Sequence, residues 1–128
     1  MNEPDETVNG LAREVVDAAL EVHRELGPGY LESVYEEALG VELDLREVVF
    51  ERQVPVAVHY KGQSVGEGRL DLLVGGELII ELKAVEALLP VHKAQVLSYL
   101  KASRKQLALL INFNVPLIKN GIKRIILS

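Results

Sequence analysis

The sequence predicts a mixed α/β domain, with helices packed against a central sheet, and three observations predict it. Two stretches of helical apolar spacing open the chain. Strand-like apolar segments punctuated by Gly and Pro follow from residue 48. One further helix, opened by Pro90, interrupts those strands before the chain ends. The predicted order is α-α-β-β-β-β-α-β-β. At 128 residues with 48% apolar side chains, one domain over residues 1–128 can bury a modest core.

Thr7–Leu26 carries apolar residues at Val8, Leu11, Val15, Val16, Ala19, Leu20 and Val22, the stripe of an amphipathic helix. Gly27-Pro28-Gly29 stops it. A second helix over Tyr30–Leu45 uses Leu31, Val34, Tyr35, Ala38 and Leu39, with Gly40 either inside it or at its end. Strands are expected at Val48–Gln53, Val54–Tyr60, Val65–Val74 and Glu77–Val85, with Pro55 marking an edge or a bend. Pro90 suits the first turn of a helix through Ser103, contacting the core through Val91, Ala94, Leu97 and Leu100. Gln106–Phe113 reads as a buried strand, Asn120-Gly121 as a turn, and Ile122–Leu127 as the last strand.

Composition excludes several classes. There is no cysteine, so neither a disulfide framework nor a thiolate metal site is expected. No apolar run approaches the roughly 18 residues of a membrane span. The polar, acidic start MNEPDETVNG is unlike a signal peptide, which points to the cytoplasm. The net charge is −5, but it is unevenly spread: residues 1–51 hold 14 acidic and 3 basic side chains, residues 52–128 hold 5 and 11. The acidic half fits a solvated helical face, and the basic half could meet phosphate.

The chemistry concentrates in Arg69–Val85, where Asp71 precedes a short apolar hairpin and Glu81-Leu82-Lys83 follows it. Two carboxylates and a lysine on adjacent strands can hold a divalent metal and activate water. Whether they meet depends on register. A two-residue turn at Gly75-Gly76 pairs residues whose numbers sum to 151 and sets Asp71 opposite Ile80. A three-residue loop, Gly75-Gly76-Glu77, makes the sum 152 and sets Asp71 opposite Glu81, with their carbons about 5.5 Å apart. In the second register one face reads Leu70, Leu72, Val74, Leu78, Ile80, Leu82, all aliphatic, and the other gathers Arg69, Asp71, Leu73, Ile79, Glu81 and Lys83. A one-residue slip forfeits the whole buried set, so the segregated register is expected. The same charges would also suit a plain solvent face, with Lys83 pairing Glu81 or Asp71.

Two further patterns accompany this one. Gly29-x-x-Glu32-x-x-Tyr35 opens the second helix, and Glu32, Tyr35 and Glu36 share a helical face. In the helix after the Glu-x-Lys strand, His92, Gln95 and Tyr99 lie along one side, with Gln95-x-x-x-Tyr99 as the repeat unit. Together these residues resemble the PD-(D/E)XK nuclease superfamily in its RecB-like exonuclease branch. More closely, the chain is similar to the small GxxExxY protein family, over about His23 to Ile126, including ERQVPV, YKG, GEGRLDLLV, ELKAV, HKAQVLSYL and LLINF. One departure is Leu70, where the superfamily name has proline.

The resemblance implies an αβββαβ core with a mixed sheet, here with an extra N-terminal helix, and a Mg²⁺- or Mn²⁺-dependent nuclease. It places the metal on Asp71 and Glu81, with the Leu82 carbonyl and Glu32 as further ligands. It makes Lys83 the residue that positions water and steadies phosphate charge, and gives Gln95 and Tyr99 to substrate; His92, on the same side of that helix, is expected beside them as a phosphate or supporting contact. The implied partner is nucleic acid, DNA ahead of RNA, and so small a chain implies a homodimer or a partner subunit around the substrate. The competing readings are a catalytically silent nuclease-fold module that binds nucleic acid or protein, and an oligomeric scaffold joining acidic and basic halves. A histidine metal site is not expected, because His23, His59 and His92 share no ligand spacing.

Overall fold

The computed structural model describes residues 5–127. Helix α1 (Glu6–Leu26) begins where Asp5 accepts the Val8 amide hydrogen at 3.0 Å, a side-chain N-cap. It ends at Gly27, whose φ of 68° sends the chain into the left-handed half of backbone space, where glycine meets no penalty. Helix α2 covers Glu32–Leu45, starting two residues later than the spacing suggested, with Gly40 inside it against the Phe50 ring. Its buried side is Tyr35, Leu39 and Leu43, while Leu31 and Val34 are exposed.

Five strands form one sheet in the order β1-β2-β3-β4-β5. They are β1 (Phe50–Tyr60), β2 (Gln63–Val74), β3 (Leu78–Lys83), β4 (Leu107–Asn112) and β5 (Ile122–Ile126). The two strands expected before residue 60 are a single one. Pro55 does not break it, because β1 is an edge strand and a missing N–H costs least there. β3 and β4 run parallel, joined by the crossover helix α3 (Pro90–Ser103); the other neighbours are antiparallel. A short 3₁₀ turn, Ile118–Gly121, leads into β5.

The core has two layers. α1 and α2 cover one face of the sheet, where Val15, Val22, Tyr35 and Leu39 meet Leu72, Val74, Ile80 and Leu82. α3 covers the other through Val96 and Leu100, against Val56, Leu73, Ile79 and Leu110. Val91 and Ala94, expected as core contacts of α3, are exposed instead. The central strands β3 and β4 are buried on both faces, which is why they read as unbroken apolar runs.

Candidate active site

The β2–β3 hairpin has the wider loop: Gly75-Gly76-Glu77 turns it, with φ of 59° and 70° at the two glycines. Val74↔Leu78, Leu73↔Ile79 and Leu72↔Ile80 are paired, the register expected from segregated faces. Beyond Leu72 the ladder between these strands stops, while β3 continues to pair with β4 through Lys83↔Asn112. The strands part at the two acidic residues. Asp71 Oδ2 accepts the Leu82 amide hydrogen at 2.7 Å, and Glu81 Oε1 accepts the Asp71 amide hydrogen at 3.2 Å. Each carboxylate therefore satisfies a backbone donor that the lost ladder would have left orphaned. The strand alternation also slips here. Leu70, expected beside Leu72, packs under α3 with Leu73 and Ile79.

The cause of that slip lies across β1. Gln53 sits opposite Asp71, between the pairs Arg52↔Leu72 and Val54↔Leu70, and adopts a left-handed φ of 53°. Its side chain hydrogen-bonds Asp71 and donates to Glu36 Oε1 at 2.9 Å. Arg52 donates two hydrogen bonds to Glu36 Oε2 and two to Glu37. A polar chain thus runs Glu37–Arg52–Glu36–Gln53–Asp71 and ties β1 and α2 to the acidic pair. The link that Arg52, Gln53 and Glu36 make to the acidic pair is not foreseen from the sequence. The only sequence signal for the first two is their place in ERQVPV.

Glu32 stands at the first position of α2, exposed, one turn before Glu36. Its place is set by Tyr35, which is fully buried and stacks on Phe113 with centroids 4.6 Å apart. The Tyr35 hydroxyl donates to the Gly27 carbonyl at 2.6 Å and accepts the Tyr30 amide hydrogen at 3.2 Å. The tyrosine of Gly29-x-x-Glu32-x-x-Tyr35 therefore pins the α1–α2 turn from inside, and the glutamate projects from the helix so fixed.

Electrostatics marks the same cluster. Burial, then the charge of Asp71, pushes Glu81 up to about 8. Burial raises Asp71 as well, reinforced by Glu36 and opposed by the Leu82 N–H, Lys83 and Gln53. Glu32 is raised by burial first, then by Asp71, with Lys83 opposing. Lys83, half-buried at the end of β3, is thus the cation whose field reaches all three carboxylates. Its backbone is held by the Phe113 N–H on its carbonyl at 3.0 Å. Two residues on, the buried Asn112 amide closes both hydrogen bonds of the Val85 backbone, at 3.1 and 2.9 Å. Asn112 is a positioning residue that motif reading did not single out.

The α3 residues form a separate group. Gln95 donates to the Tyr99 hydroxyl at 3.3 Å. Tyr99 lies flat against Gly68 of β2; a Cβ there would stand 2.5 Å from Tyr99 Cε1. His92 is turned toward the start of its own helix, its Nδ1 accepting the Leu89 amide hydrogen at 2.9 Å. Among the described residues none of these three hydrogen-bonds Asp71 or Glu81.

As a set of donors the acidic cluster offers oxygen alone, the chemistry that suits hard dications such as Mg²⁺ and Mn²⁺. Asp71 and Glu81 converge. Among the described residues no group of three or more His, Cys, Asp or Glu side chains forms a ready cage. The arrangement can gather positive charge between a buried carboxylate, Glu81, and a half-buried one, Asp71, and hold an ammonium beside it. That is the equipment for stabilising a phosphate oxyanion.

No helix among the described residues is long and apolar enough to cross a membrane. No curated protein and no solved structure matches the chain significantly. Residues 9–125 match the family model of the PD-(D/E)XK nuclease superfamily, and the chain, with its mixed five-stranded sheet, parted hairpin and Asp71/Glu81-x-Lys83 cluster, belongs to that superfamily.

Proposed function

We propose that this protein is a metal-dependent phosphodiester hydrolase of nucleic acid, a single nuclease-like domain over residues 1–128 in the GxxExxY group and RecB-like branch. The observation that carries the reading is the convergence of Asp71 and Glu81 where β2 leaves β3, with Lys83 beside them. Asp71 and Glu81 would hold Mg²⁺ or Mn²⁺, with the Leu82 carbonyl and Glu32 as further oxygen donors. Bound there, the cation supplies Lewis acidity toward the phosphate. Lys83 positions the attacking water and offsets charge on the phosphoryl oxygens. Gln95 and Tyr99 orient the substrate backbone, and His92 contacts its phosphate.

DNA is the favoured polymer over RNA, the cytoplasm the favoured compartment, and a homodimer or partner subunit completes the grip on substrate. A Mn²⁺-soaked crystal should show anomalous density between Asp71 and Glu81. Wild-type protein should cleave single-stranded, duplex or branched DNA, or RNA, with Mg²⁺ or Mn²⁺. A folded protein that cleaves none of them would overturn the hydrolase reading. The alternative, a catalytically silent module of the same fold binding nucleic acid or protein, draws support from the exposed position of Glu32, outside the converging pair. Titration with Mn²⁺ separates the two, because a silent module need not bind the ion.

A further inference from the structure

A groove of about 420 Å³ runs between the β1–β2 hairpin and α3, away from the acidic pair. Ala57–His59 form one wall; Ser98, Lys101, Ala102 and Arg104 form the other. Among the described residues no carboxylate lines it, in a chain with 19 acidic and 14 basic side chains.

Several basic residues are held by acidic partners, and the two in this groove are not. Arg13, Arg24, Arg46 and Arg52 each hold a glutamate. Lys101 and Arg104 hold none among the described residues, although Arg104 also borders a small pocket shared with Asp5 and Glu77. Arg104 is also conformationally costly. It caps α3 in the left-handed region, φ 61°, where glycine is the usual residue. The strained residue is also one of the two cations that border the groove.

The groove adjoins the Gln95–Tyr99 pair on α3. Gln95, Ser98, Tyr99 and Ala102 recur at helical spacing along α3, so Tyr99, which rests on Gly68, and the groove wall share a face. On the sheet side, Val58 pairs with Gly66 and His59 with Ser64, five to seven residues up β2 from Asp71. At about 3.3 Å per residue the groove lies roughly 15–25 Å from the carboxylates, a span of several nucleotides.

We propose that this groove is the track for the sugar–phosphate backbone of a nucleic-acid strand leading to the Asp71/Glu81 centre, gripped by Lys101 and Arg104 without regard to sequence. The proposal rests on the nuclease reading for its substrate class, but its test needs no catalysis.

The probe is a fluorescein-labelled DNA oligonucleotide, with binding followed by anisotropy in EDTA across a salt series. Lys101→Gln/Arg104→Gln should weaken binding roughly tenfold at low salt, and should flatten the log–log salt slope by about 1.5, the loss of two phosphate contacts. Lys119→Gln/Lys123→Gln, which removes equal charge elsewhere, should stay within about twofold of wild type. Arg104→Gly separates grip from scaffold: at φ 61° glycine should raise Tm by a few degrees while binding weakens. Equal losses in the two double variants, an unchanged salt slope, a wild type that binds no oligonucleotide, or equal displacement by polyglutamate would each overturn the track. Failure of cleavage alone, with this binding pattern intact, would sink the hydrolase reading and leave the groove standing.

Discussion

The two ends of the β2–β3 hairpin are built from the same pair of strands and do opposite things. Near the loop, Leu72–Val74 and Leu78–Ile80 close a backbone ladder between aliphatic side chains. One residue farther, the ladder gives way and two carboxylates take over the amide hydrogens it would have used. The zipped end spends its burial on apolar area and gains stability. The parted end buries charge, raises both carboxyl groups and loses stability, and in return has two carboxylates close enough to feel each other's charge. Fold and candidate chemistry thus meet on one hairpin with opposite signs.

The largest effect that tests this contrast is at Asp71. Asp71→Ala and Asp71→Asn should both reduce cleavage about a thousandfold or more, since neither supplies an anionic oxygen. They should differ in stability. Asparagine keeps an acceptor for the Leu82 N–H, whereas alanine orphans it, so the alanine variant should be less stable by about 1–3 kcal/mol in chemical denaturation. Equal stabilities would remove the carboxylate's bridging role. At the zipped end the expectation reverses. Ile80→Ala, in a fully buried site, should cost about 3 kcal/mol while leaving activity per folded molecule within a few-fold of wild type.

The parted end should also reveal itself through pH. Glu81 ionises near 8 in the folded protein against an ordinary 4.5, so the folded state holds its proton more tightly than the unfolded state does. The contribution to stability is complete below about 4.5 and is lost as pH rises toward 8. Tm of the metal-free protein should therefore fall across that window. Glu81→Gln should flatten the decline and melt several degrees higher at its upper end, with activity abolished. Calorimetry of Mn²⁺ binding in buffers of different ionisation enthalpy should show proton release below pH 8, because the ion displaces that proton. A pH-independent Tm would place Glu81 in a far wetter setting than its burial indicates.

The smallest effect concerns α3. Gly68→Ala would set a methyl against the Tyr99 ring, which can swing away, breaking its hydrogen bond with Gln95 at a cost of about 1 kcal/mol or less. Tyr99→Ala in the same background should remove that penalty, a coupling that a double-mutant cycle measures directly.

Some of this was legible in the residues. Segregation of aliphatic from charged positions in Leu70–Lys83 selects the hairpin register, because any slip exposes the buried set. The Gly-Gly-Glu loop follows from that choice. Helix stops at Gly27 and starts at Pro90 are local backbone chemistry and were equally readable. Other features were not. Alternation assigned Leu70 to the wrong side, since nothing local announces that Gln53 on another strand turns left-handed opposite Asp71. Nor does spacing announce that His92 accepts the Leu89 N–H at the start of its helix, or that Tyr35 pins the α1–α2 turn through its hydroxyl.

By itself the sequence determined the helices, most of the strands, the hairpin register and the candidate pair Asp71 and Glu81, because turns, caps and hydrophobic periodicity act over a few residues. Only the tertiary structure decided that β3 keeps β4 while leaving β2, that Arg52 and Gln53 reach Glu36 and Asp71, and that Glu81 is dry enough to hold its proton near neutrality. Those depend on which strand wins a neighbour and how much water is excluded, and both are properties of the assembled layers.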